Sequence, residues 1–237
     1  MRLSAPIYRL KRQAKALARQ KKIPLNEALN SVARDKGFSS WSLLAAQASS
    51  TAPSRALYAR LSPGDLVILG ARPGHGKTVL GLELIVEAIK SGGRGVFFTL
   101  EYSAKDVLNR LRDIGGDSLL FRDRFEFDST DDIRADYIID RLASAPRGTV
   151  VVIDYLQLLD QKRENPGLAV QVGALKAFAD QLGLIIVFLS QIHRSYDASA
   201  KRCPDLGDVR LPNPLDLTLF DKTCFLNNGE MRIDAVS

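Results

Sequence analysis

The sequence of 237 residues is poor in cysteine and has no long apolar run. Its two cysteines, Cys203 and Cys224, are not in a CxxC or metal-ligand spacing, so we expect reduced thiols and neither a disulfide nor a zinc site. No apolar stretch reaches the ~20 residues that span a bilayer, and the basic N-terminus lacks the apolar core of a signal peptide. Low-complexity tracts and internal repeats are also missing. These absences predict a cytoplasmic, folded protein.

The chain has enough apolar residues to bury a large core. Hydrophobic residues make up 46% and charged residues 25% of the sequence, which suits one α/β domain with a small appendage. The net charge of +6 is unevenly distributed. Residues 1–50 contain ten Lys or Arg but only two acids, Glu27 and Asp35, whereas the rest of the chain is slightly acidic. The basicity therefore belongs to the N-terminal segment.

This basic segment has the pattern of a small all-α module. Apolar residues recur at helical spacing from Leu10 to Ala18. A second helix fits residues 25–35, and a third fits residues 41–46 with Ser40 as its cap. We expect the module to occupy residues 1–48, and the small polar residues that follow predict a linker over 49–56. The residues available for its core are Ile7, Leu25, Ala28, Leu29, Val32, Phe38, Trp41 and Leu44.

Cations on the first helix suggest a nucleic acid as partner, because phosphate contacts require clustered Lys and Arg. A solvated helix face or a protein-docking module explains the same charges, since no base-reading side chain can be identified. Four cations lie on one predicted stripe and are the candidate DNA contacts of the module: Arg12, Lys15, Arg19 and Lys22.

Residues 57–237 alternate strand-like and helix-like segments, which is typical of a parallel sheet covered on both faces. The predicted strands are nearly continuous runs of Val, Ile, Leu and Phe, as expected for strands buried on both faces. A C-terminal hairpin is predicted around Asn228-Gly229, pairing residues 223–226 with 231–236. We therefore expect an α/β domain with a mainly parallel central sheet. The four parallel strands fit residues 66–69, 96–100, 150–155 and 185–190.

The most informative motif is ARPGHGKT, residues 71–78, between a strand and the helix-like residues 79–89. A glycine-rich turn between strand and helix directs backbone N–H groups and the positive end of the helix dipole at an anion. Lys77 would reach the β- and γ-phosphates, and the Thr78 hydroxyl would bind Mg²⁺. Ala71 replaces the first glycine of the general pattern GxxxxGK[ST]. The candidate nucleotide-binding residues are Ala71, Arg72, Pro73, Gly74, His75, Gly76, Lys77 and Thr78.

Three further strands end in polar residues, at the edge where open α/β sheets bind ligands. Asp154 suits a direct or indirect contact to Mg²⁺ beside Thr78. Glu101 is placed to orient or deprotonate the attacking water, and Gln191 to contact the γ-phosphate. A lone carboxylate at a strand end is more often a cap or an ion-pair partner. The convergence of these residues on one phosphate loop favours the functional interpretation.

These motifs resemble the RecA-like motor domain of DnaB-type replicative helicases over about residues 57–226. In that family Ala commonly replaces the first glycine of the phosphate loop, as it does at Ala71. FFTLEYS, followed by Arg110, is similar to the LEMS segment, and VVIDYLQLLD to the magnesium-binding strand. FLSQIHR and KRCPDLGDVR resemble the strand ending in SQ and the KRPxLSDLR stretch. The four segments are residues 97–103, 151–160, 188–194 and 201–210.

The resemblance implies ATP hydrolysis coupled to DNA translocation, in a hexameric ring with nucleotide held between subunits. Lys77 and Thr78 would bind phosphate and Mg²⁺, and Asp154 would hold Mg²⁺. Glu101 would activate water, and Gln191 would couple the γ-phosphate to loops that face single-stranded DNA.

Motif matching also places Arg110 among the nucleotide-binding residues. The side chains of His75 and His193 occupy variable motif positions and receive no role. The cations of the DNA-facing loops are equally explained by a solvated surface. The candidate DNA contacts in these loops are Lys162, Arg163, Arg194, Lys201, Arg202 and Arg210.

Two departures from the family pattern bear on activity. LPNPLDLTLFDK at residues 211–222 replaces the family's SGxIEQDAD segment, with Asp221 as the counterpart of its last acid. The late KxRxG segment, which gives a basic finger to the neighbouring subunit, is not recognisable, and Arg232 is the remaining candidate. Such a finger is worth about 10³-fold or more in turnover. The sequence therefore supports ATP binding more strongly than fast hydrolysis, and the alternative is a nucleotide-switched DNA-binding, loader or regulatory protein.

Overall fold

A computed structural model describes residues 7–50, 52–116, 121, 123–160, 165–197, 201–211, 213–227 and 230–236. The chain forms two compact units, Met1–Ala56 and Leu57–Ser237. None of the helices in these ranges has the length and apolarity needed to cross a membrane.

The first unit contains the three predicted helices, α1 (Ile7–Lys21), α2 (Leu25–Asp35) and α3 (Trp41–Ser50). The predicted cap of α3 is confirmed, because the Leu43 amide donates to Ser40 Oγ at 3.3 Å. Leu25 was predicted in the core but is 42% exposed, because it is the first residue of α2 and lies one turn before Ala28, the first buried residue of the helix. The buried core of the unit consists of Leu10, Ala14, Ala28, Val32, Ala33 and Leu44.

The predicted stripe of four cations is only partly helical. Helix α1 ends at Lys21, and Lys22 has a left-handed φ of 53° that turns the chain away from the helix axis. The Ile23 amide donates back to the Ala18 carbonyl at 3.1 Å, the bond that closes a left-handed helix end. Lys22 therefore belongs to the turn after the helix. Of the other three cations, Arg12 and Arg19 are exposed on α1 and Lys15 is half-buried.

The predicted linker, residues 49–56, is mostly helical where it is described. It contains the end of α3 and the beginning of α4 (Pro53–Tyr58). Leu57 of α4 is fully buried in the apolar core of the second unit.

The second unit is built on a seven-stranded sheet. The strands are β1 (Leu66–Ala71), β2 (Gly95–Thr99), β3 (Phe125–Asp128), β4 (Val150–Asp154), β5 (Ile185–Gln191), β6 (Lys222–Asn227) and β7 (Glu230–Ala235). Their order in the sheet is β3-β2-β4-β5-β1-β6-β7, and neighbouring strands are parallel except β6 and β7, which form the predicted antiparallel hairpin. The hairpin turn, Asn228-Gly229, lies outside the described residues.

The four predicted parallel strands are confirmed, but β3 was missed. Its four residues, Phe-Glu-Phe-Asp, are half-buried at the sheet edge and carry no long apolar run. Glu126 of β3 forms ion pairs with Arg94 at 2.6 Å and Arg141 at 3.2 Å. An edge strand is covered less completely than the central strands, so it can carry charged residues and lacks the continuous apolar run that identifies the buried strands.

Each buried strand sends alternate side chains into two apolar layers. In β1, Leu66 and Ile68 face one layer, whereas Val67 and Leu69 face the other. The first layer packs against α7 (Ala135–Leu142) and α8 (Leu168–Leu182), and the second against α5 (Lys77–Lys90) and α6 (Ala104–Asp113). Burial on both faces confirms the interpretation of the continuous apolar runs.

Asp221 lies at the amino end of β6, at the opposite end of the strands from the phosphate loop. Its Oδ2 accepts from the Leu66 amide at 2.7 Å and pairs with Lys176 of α8 at 2.9 Å. The neighbouring Lys222 pairs with Asp65. These contacts connect β1, β6 and α8, so Asp221 has a structural role at this end of the sheet.

Candidate nucleotide-binding site

The turn between β1 and α5 has the backbone that the phosphate-loop motif predicts. Gly74 and Gly76 have φ of +80° and +94°, a left-handed conformation that side chains rarely adopt. Gly76 caps α5, so the first amides of this 14-residue helix point toward the turn. Ala71 is buried as the last residue of β1, where a methyl group is accommodated. The loop therefore presents backbone donors and a helix dipole to an anion.

Lys77, Thr78 and Asp154 form a buried polar cluster at the carboxyl ends of β1 and β4. The Lys77 ammonium lies 2.9 Å from Asp154 Oδ1, and the Thr78 hydroxyl donates to Asp154 Oδ2 at 2.9 Å. Lys77 also lies over the Tyr155 ring, 5.9 Å from its centroid. The cluster combines a cation with two hard oxygen atoms, the donor types that phosphate and Mg²⁺ require.

Glu101 lies beside this cluster, two residues after the end of β2. Thr99, the last residue of β2, is in register with Asp154, and its hydroxyl accepts from the Glu101 amide at 3.0 Å. The residue is exposed, but nearby protein atoms remove part of the water around its carboxyl group. This desolvation raises the pKa of Glu101 above 4.5, while Lys77 lowers it and Asp154 raises it further. Glu101 therefore lies within electrostatic reach of both buried charges.

Gln191 ends β5 directly beside the start of the phosphate loop. Its register partner is Ala71, and the Arg210 amide donates to its carbonyl at 2.8 Å. The β5 strand continues into an antiparallel bridge between Ile192 and Val209. The segment from 192 to 210 therefore leaves and returns next to Gln191.

Arg110 of α6 lies over the ring of Tyr102, with 4.4 Å between its guanidinium carbon and the ring centroid. Tyr102 follows Glu101, so this stack lies beyond the carboxyl end of β2. Helix α6 is fixed there by a capping box between Ser103 and Asp106. Hydrogen bonding to Ser103 holds the pKa of Asp106 below its usual range.

The predicted DNA contacts of the loops fall into three groups. Lys162 and Arg163 lie outside the described residues. Arg194 and Arg210 are exposed at the two ends of the segment after β5. Lys201 and Arg202 are ion-paired within the chain, as described next.

Lys201 pairs with Asp205 and, at 2.8 Å, with Asp208; these hydrogen bonds raise the pKa of Lys201. Arg202 makes a two-point ion pair with Glu230 of β7, 2.6 Å from Nε to Oε2 and 2.5 Å from Nη2 to Oε1. A phosphate would have to compete with these carboxylates for Lys201 and Arg202. The backbone carbonyls of Arg194 and Arg210 accept hydrogen bonds, and both residues are exposed. Arg232, the candidate finger, pairs with Asp234 at 2.7 Å on β7.

Three residues of the site were not singled out from the sequence. Tyr155 lies under Lys77, and Tyr196 lies under Arg72 with 5.3 Å to its ring centroid. Gln157 donates to the Arg210 carbonyl at 2.5 Å, connecting the turn after β4 to the segment after β5. Tyr155 and Gln157 belong to the DYLQL motif, so the motif was a usable signal for them. Tyr196 had no sequence signal.

The part of the chain that the structure describes contains no cluster of three or more His, Cys, Asp or Glu side chains suited to a metal ion. Both cysteines are free thiols. Burial raises the pKa of Cys224 and of Cys203, which keeps both in the protonated form at neutral pH.

A parallel sheet with a glycine-rich loop after β1, a lysine and threonine opening α5 and an acid ending β4 defines a P-loop ATPase domain of the RecA-like class. The family profile described as DnaB-like helicase C terminal domain matches residues 56–118 and 113–214. The chain belongs to this family.

Curated relatives include helicases from two bacteria. A probable plasmid replicative DNA helicase of Chlamydia trachomatis serovar L2 is 29% identical over 201 residues, which cover 72% of this chain and 44% of the relative. The replicative DNA helicase DnaB of Leifsonia xyli is 28% identical over 183 residues, covering 63% and 40%. The chain thus spans less than half the length of these relatives.

Solved structures support the fold. A DnaB-like replicative helicase, solved in a study of its interactions with primase, has a TM-score of 0.57 and 19% identity, covering 92% of this chain and 65% of that one. A second solved structure, an ATPase domain, has a TM-score of 0.54 and 20% identity, covering 69% of each chain. The predicted α/β, RecA-like fold class is confirmed.

Proposed function

We propose that the chain binds Mg·ATP at the loop of residues 71–78 and is a DNA-associated ATPase of the DnaB-like helicase type. ATP hydrolysis would be coupled to DNA binding or translocation. The observation that carries the proposal is the buried cluster of Lys77, Thr78 and Asp154 at the carboxyl edge of the sheet, with Glu101 beside it. Family membership and the names of the helicase relatives support it.

The cluster fits Mg²⁺ and phosphate. Mg²⁺ is usually held by one or two protein oxygens together with substrate phosphates and water, and Thr78 Oγ1 and Asp154 Oδ2 supply a hydroxyl and a carboxylate oxygen. The metal would neutralise charge on the β- and γ-phosphates. The Lys77 ammonium, now paired with Asp154, would turn to those phosphates, which offer it an alternative set of anionic oxygens.

Glu101 is the proposed general base. Its exposed carboxyl group can meet a water molecule, and its raised pKa makes the carboxylate a better proton acceptor than an ordinary glutamate. Gln191 would couple the presence of the γ-phosphate to the conformation of the segment after β5, since it lies beside the start of the phosphate loop and bonds to that segment.

DNA is the proposed partner of that segment, with Arg194 and Arg210 as its available cations, and of the exposed cations on α1. A homo-oligomeric, hexameric ring is proposed from the resemblance to DnaB-type motors. Nucleotide held between subunits would then require a basic residue from a neighbour, for which Arg232 is the candidate.

The test is steady-state ATP hydrolysis with and without single-stranded DNA, together with ATP-analogue binding and the mass of the particle. Glu101→Gln should keep analogue affinity within about threefold and lower hydrolysis by about 10²-fold or more, because it removes the base and preserves its shape. Glu87→Gln, a change at a partly exposed position on α5, is the matched control and should leave both unchanged.

Equal turnover by wild type and Glu101→Gln would show that Glu101 is not the base. ATP binding without DNA-stimulated hydrolysis would favour the alternative, a nucleotide-switched DNA-binding or loader protein. Absence of ATP binding by the wild type would overturn the proposal altogether.

A further inference from the structure

The side chain of Arg72, the second residue of the phosphate loop, turns away from the loop. Its Nη2 donates to the Arg194 carbonyl at 3.1 Å and also to the Tyr196 carbonyl, and its guanidinium stacks on the Tyr196 ring. No carboxylate among the described residues forms an ion pair with Arg72. A half-buried charge is therefore held by two neutral carbonyls and a ring, all in the segment after β5.

Tyr196 is the fixed point at which Arg72 is held. The residue is buried, and its hydroxyl donates to the Lys201 carbonyl at 2.5 Å. Asn227, at the end of β6, donates to the Tyr196 hydroxyl at 3.3 Å and to the Arg202 carbonyl at 2.8 Å. Movement of Tyr196 would therefore displace the backbone around Lys201 and Arg202.

The ends of the same segment are held by different contacts. Ile192 bridges Val209, and the His193 amide donates to the Asp208 carbonyl at 2.8 Å. Gln157 donates to the Arg210 carbonyl. The ends of the segment are fixed beside Gln191, and among the described residues Arg72 joins the phosphate loop to Arg194 and Tyr196, which lie between those ends.

We propose that Arg72 is a positioning residue that couples nucleotide occupancy of the phosphate loop to the conformation of residues 192–197 and 201–210. Anion binding orders the amides around Gly74 and Gly76, and Arg72 lies two residues before Gly74 in the same turn. A shift of this turn is carried by the guanidinium to Tyr196 and to the backbone that bears Arg194, Lys201 and Arg202. This coupling rests on the proposed function and adds a second connection to the one made by Gln191.

The test is amide hydrogen exchange of residues 192–211 in the full chain, with and without Mg·AMP-PNP. In the wild type, binding of AMP-PNP should change the rate of amide hydrogen exchange in this segment by about tenfold or more. Arg72→Gln should speed exchange there without nucleotide, and it should remove the response to the analogue at AMP-PNP concentrations that titration shows to saturate the variant.

Three further variants separate coupling from general loosening. Arg72→Lys keeps the charge but not the planar guanidinium that stacks on the Tyr196 ring, so the response should remain weakened. Tyr196→Phe keeps the ring and carbonyl that hold Arg72 but removes the hydroxyl bond to the Lys201 carbonyl, so the response should persist at residues 192–197 and weaken around Lys201 and Arg202. Arg60→Gln removes another arginine contact to a backbone carbonyl, to Ile233 at 3.3 Å, and should behave as wild type.

The proposal is overturned if AMP-PNP changes exchange in Arg72→Gln as much as in the wild type. Loss of AMP-PNP binding in Arg72→Gln alone also overturns it, because Arg72 would then belong to the phosphate site itself. A wild type that binds AMP-PNP without a response in this segment overturns the coupling and leaves the proposed function standing. A wild type that does not bind AMP-PNP overturns both.

Discussion

Lys77→Ala is expected to lower the stability of the nucleotide-free protein as well as its affinity for ATP. The Lys77 ammonium lies 2.9 Å from Asp154, and the two side chains are 10% and 0% exposed. Removing one member of a buried ion pair costs about 3–5 kcal/mol, because the other charge stays desolvated without its partner. Thr78 still donates to Asp154 in the variant, so we expect about 3 kcal/mol, the lower end of that range.

For a unit of this size 1 kcal/mol moves Tm by about 2–4 °C, so Lys77→Ala should lower Tm by about 6–12 °C. Far-UV circular dichroism is the suitable probe, because the one tryptophan, Trp41, lies in the other compact unit. Titration with a fluorescent ATP analogue should show affinity reduced by about 30-fold or more, since truncating a buried charged contact costs roughly 2–5 kcal/mol.

Two controls make this result specific. Lys90→Ala removes a partly exposed pair on the same helix, 3.1 Å from Glu87 with side chains 52% and 21% exposed, and should cost roughly 0.3–0.5 kcal/mol. Adding Asp154→Asn to Lys77→Ala should recover about 1–2 kcal/mol, because no uncompensated carboxylate remains. A Tm loss in Lys77→Ala no larger than in Lys90→Ala would refute the stabilising role of the pair. Unchanged ATP affinity in the folded variant would place the nucleotide elsewhere.

Three further outcomes are expected. Since desolvation raises the pKa of Glu101 above 4.5, Glu101 takes up a proton as pH falls through that raised pKa, and hydrolysis should decline there with an acid limb that Glu101→Gln lacks. Gly70→Ala should cost about 1–3 kcal/mol in urea unfolding, because its Cβ would lie 2.6 Å from the Phe225 ring. Replacing exposed cations of the helical module with glutamine should weaken DNA binding and reduce its salt slope by roughly 1 for each phosphate that is no longer neutralised. The cations to replace together are Arg12, Arg19 and Lys22.

Each of these outcomes has a matched comparison. Gly173→Ala, in the middle of α8 with nothing within 4 Å of the added Cβ, should stabilise by up to about 1 kcal/mol; an equal loss at Gly70 and Gly173 would contradict the packing argument. Arg34→Gln with Lys36→Gln changes cations elsewhere in the same module, and equal effects there would mean that the α1 face is not the DNA contact. A pH profile shared by wild type and Glu101→Gln would assign the acid limb to another group.

Local features of this protein could be read from the sequence. The strand, glycine turn and helix around residues 66–90 are specified by neighbours in the chain: a buried apolar run, glycines that accept positive φ and a helix that begins at Lys77. Helix α2 and the Ser40 cap were predicted for the same reason. Periodicity and turn chemistry act over a few residues, and no distant contact reversed them here.

The strand-end positions predicted that Asp154 and Glu101 lie near the phosphate loop, but tertiary structure alone decided which of their atoms meet. The order of the strands places β4 between β2 and β5, and the packing of the sheet brings Asp154 Oδ1 within 2.9 Å of the Lys77 ammonium, with Glu101 beside both. Such contacts join residues far apart in sequence, so spacing along the chain carries no record of their geometry.

The same reason applies where the predictions failed or were incomplete. The edge strand β3 is held by Arg94 and Arg141 rather than by an apolar run of its own. From the sequence, Lys201 and Arg202 are candidate DNA contacts, and the fold pairs both with carboxylates. Arg72 is a candidate phosphate-loop residue, and the fold places its guanidinium over the Tyr196 ring. The sequence by itself determined the local strand, turn and helix of the phosphate loop, whereas the packing of the sheet determined which side chains that loop contacts.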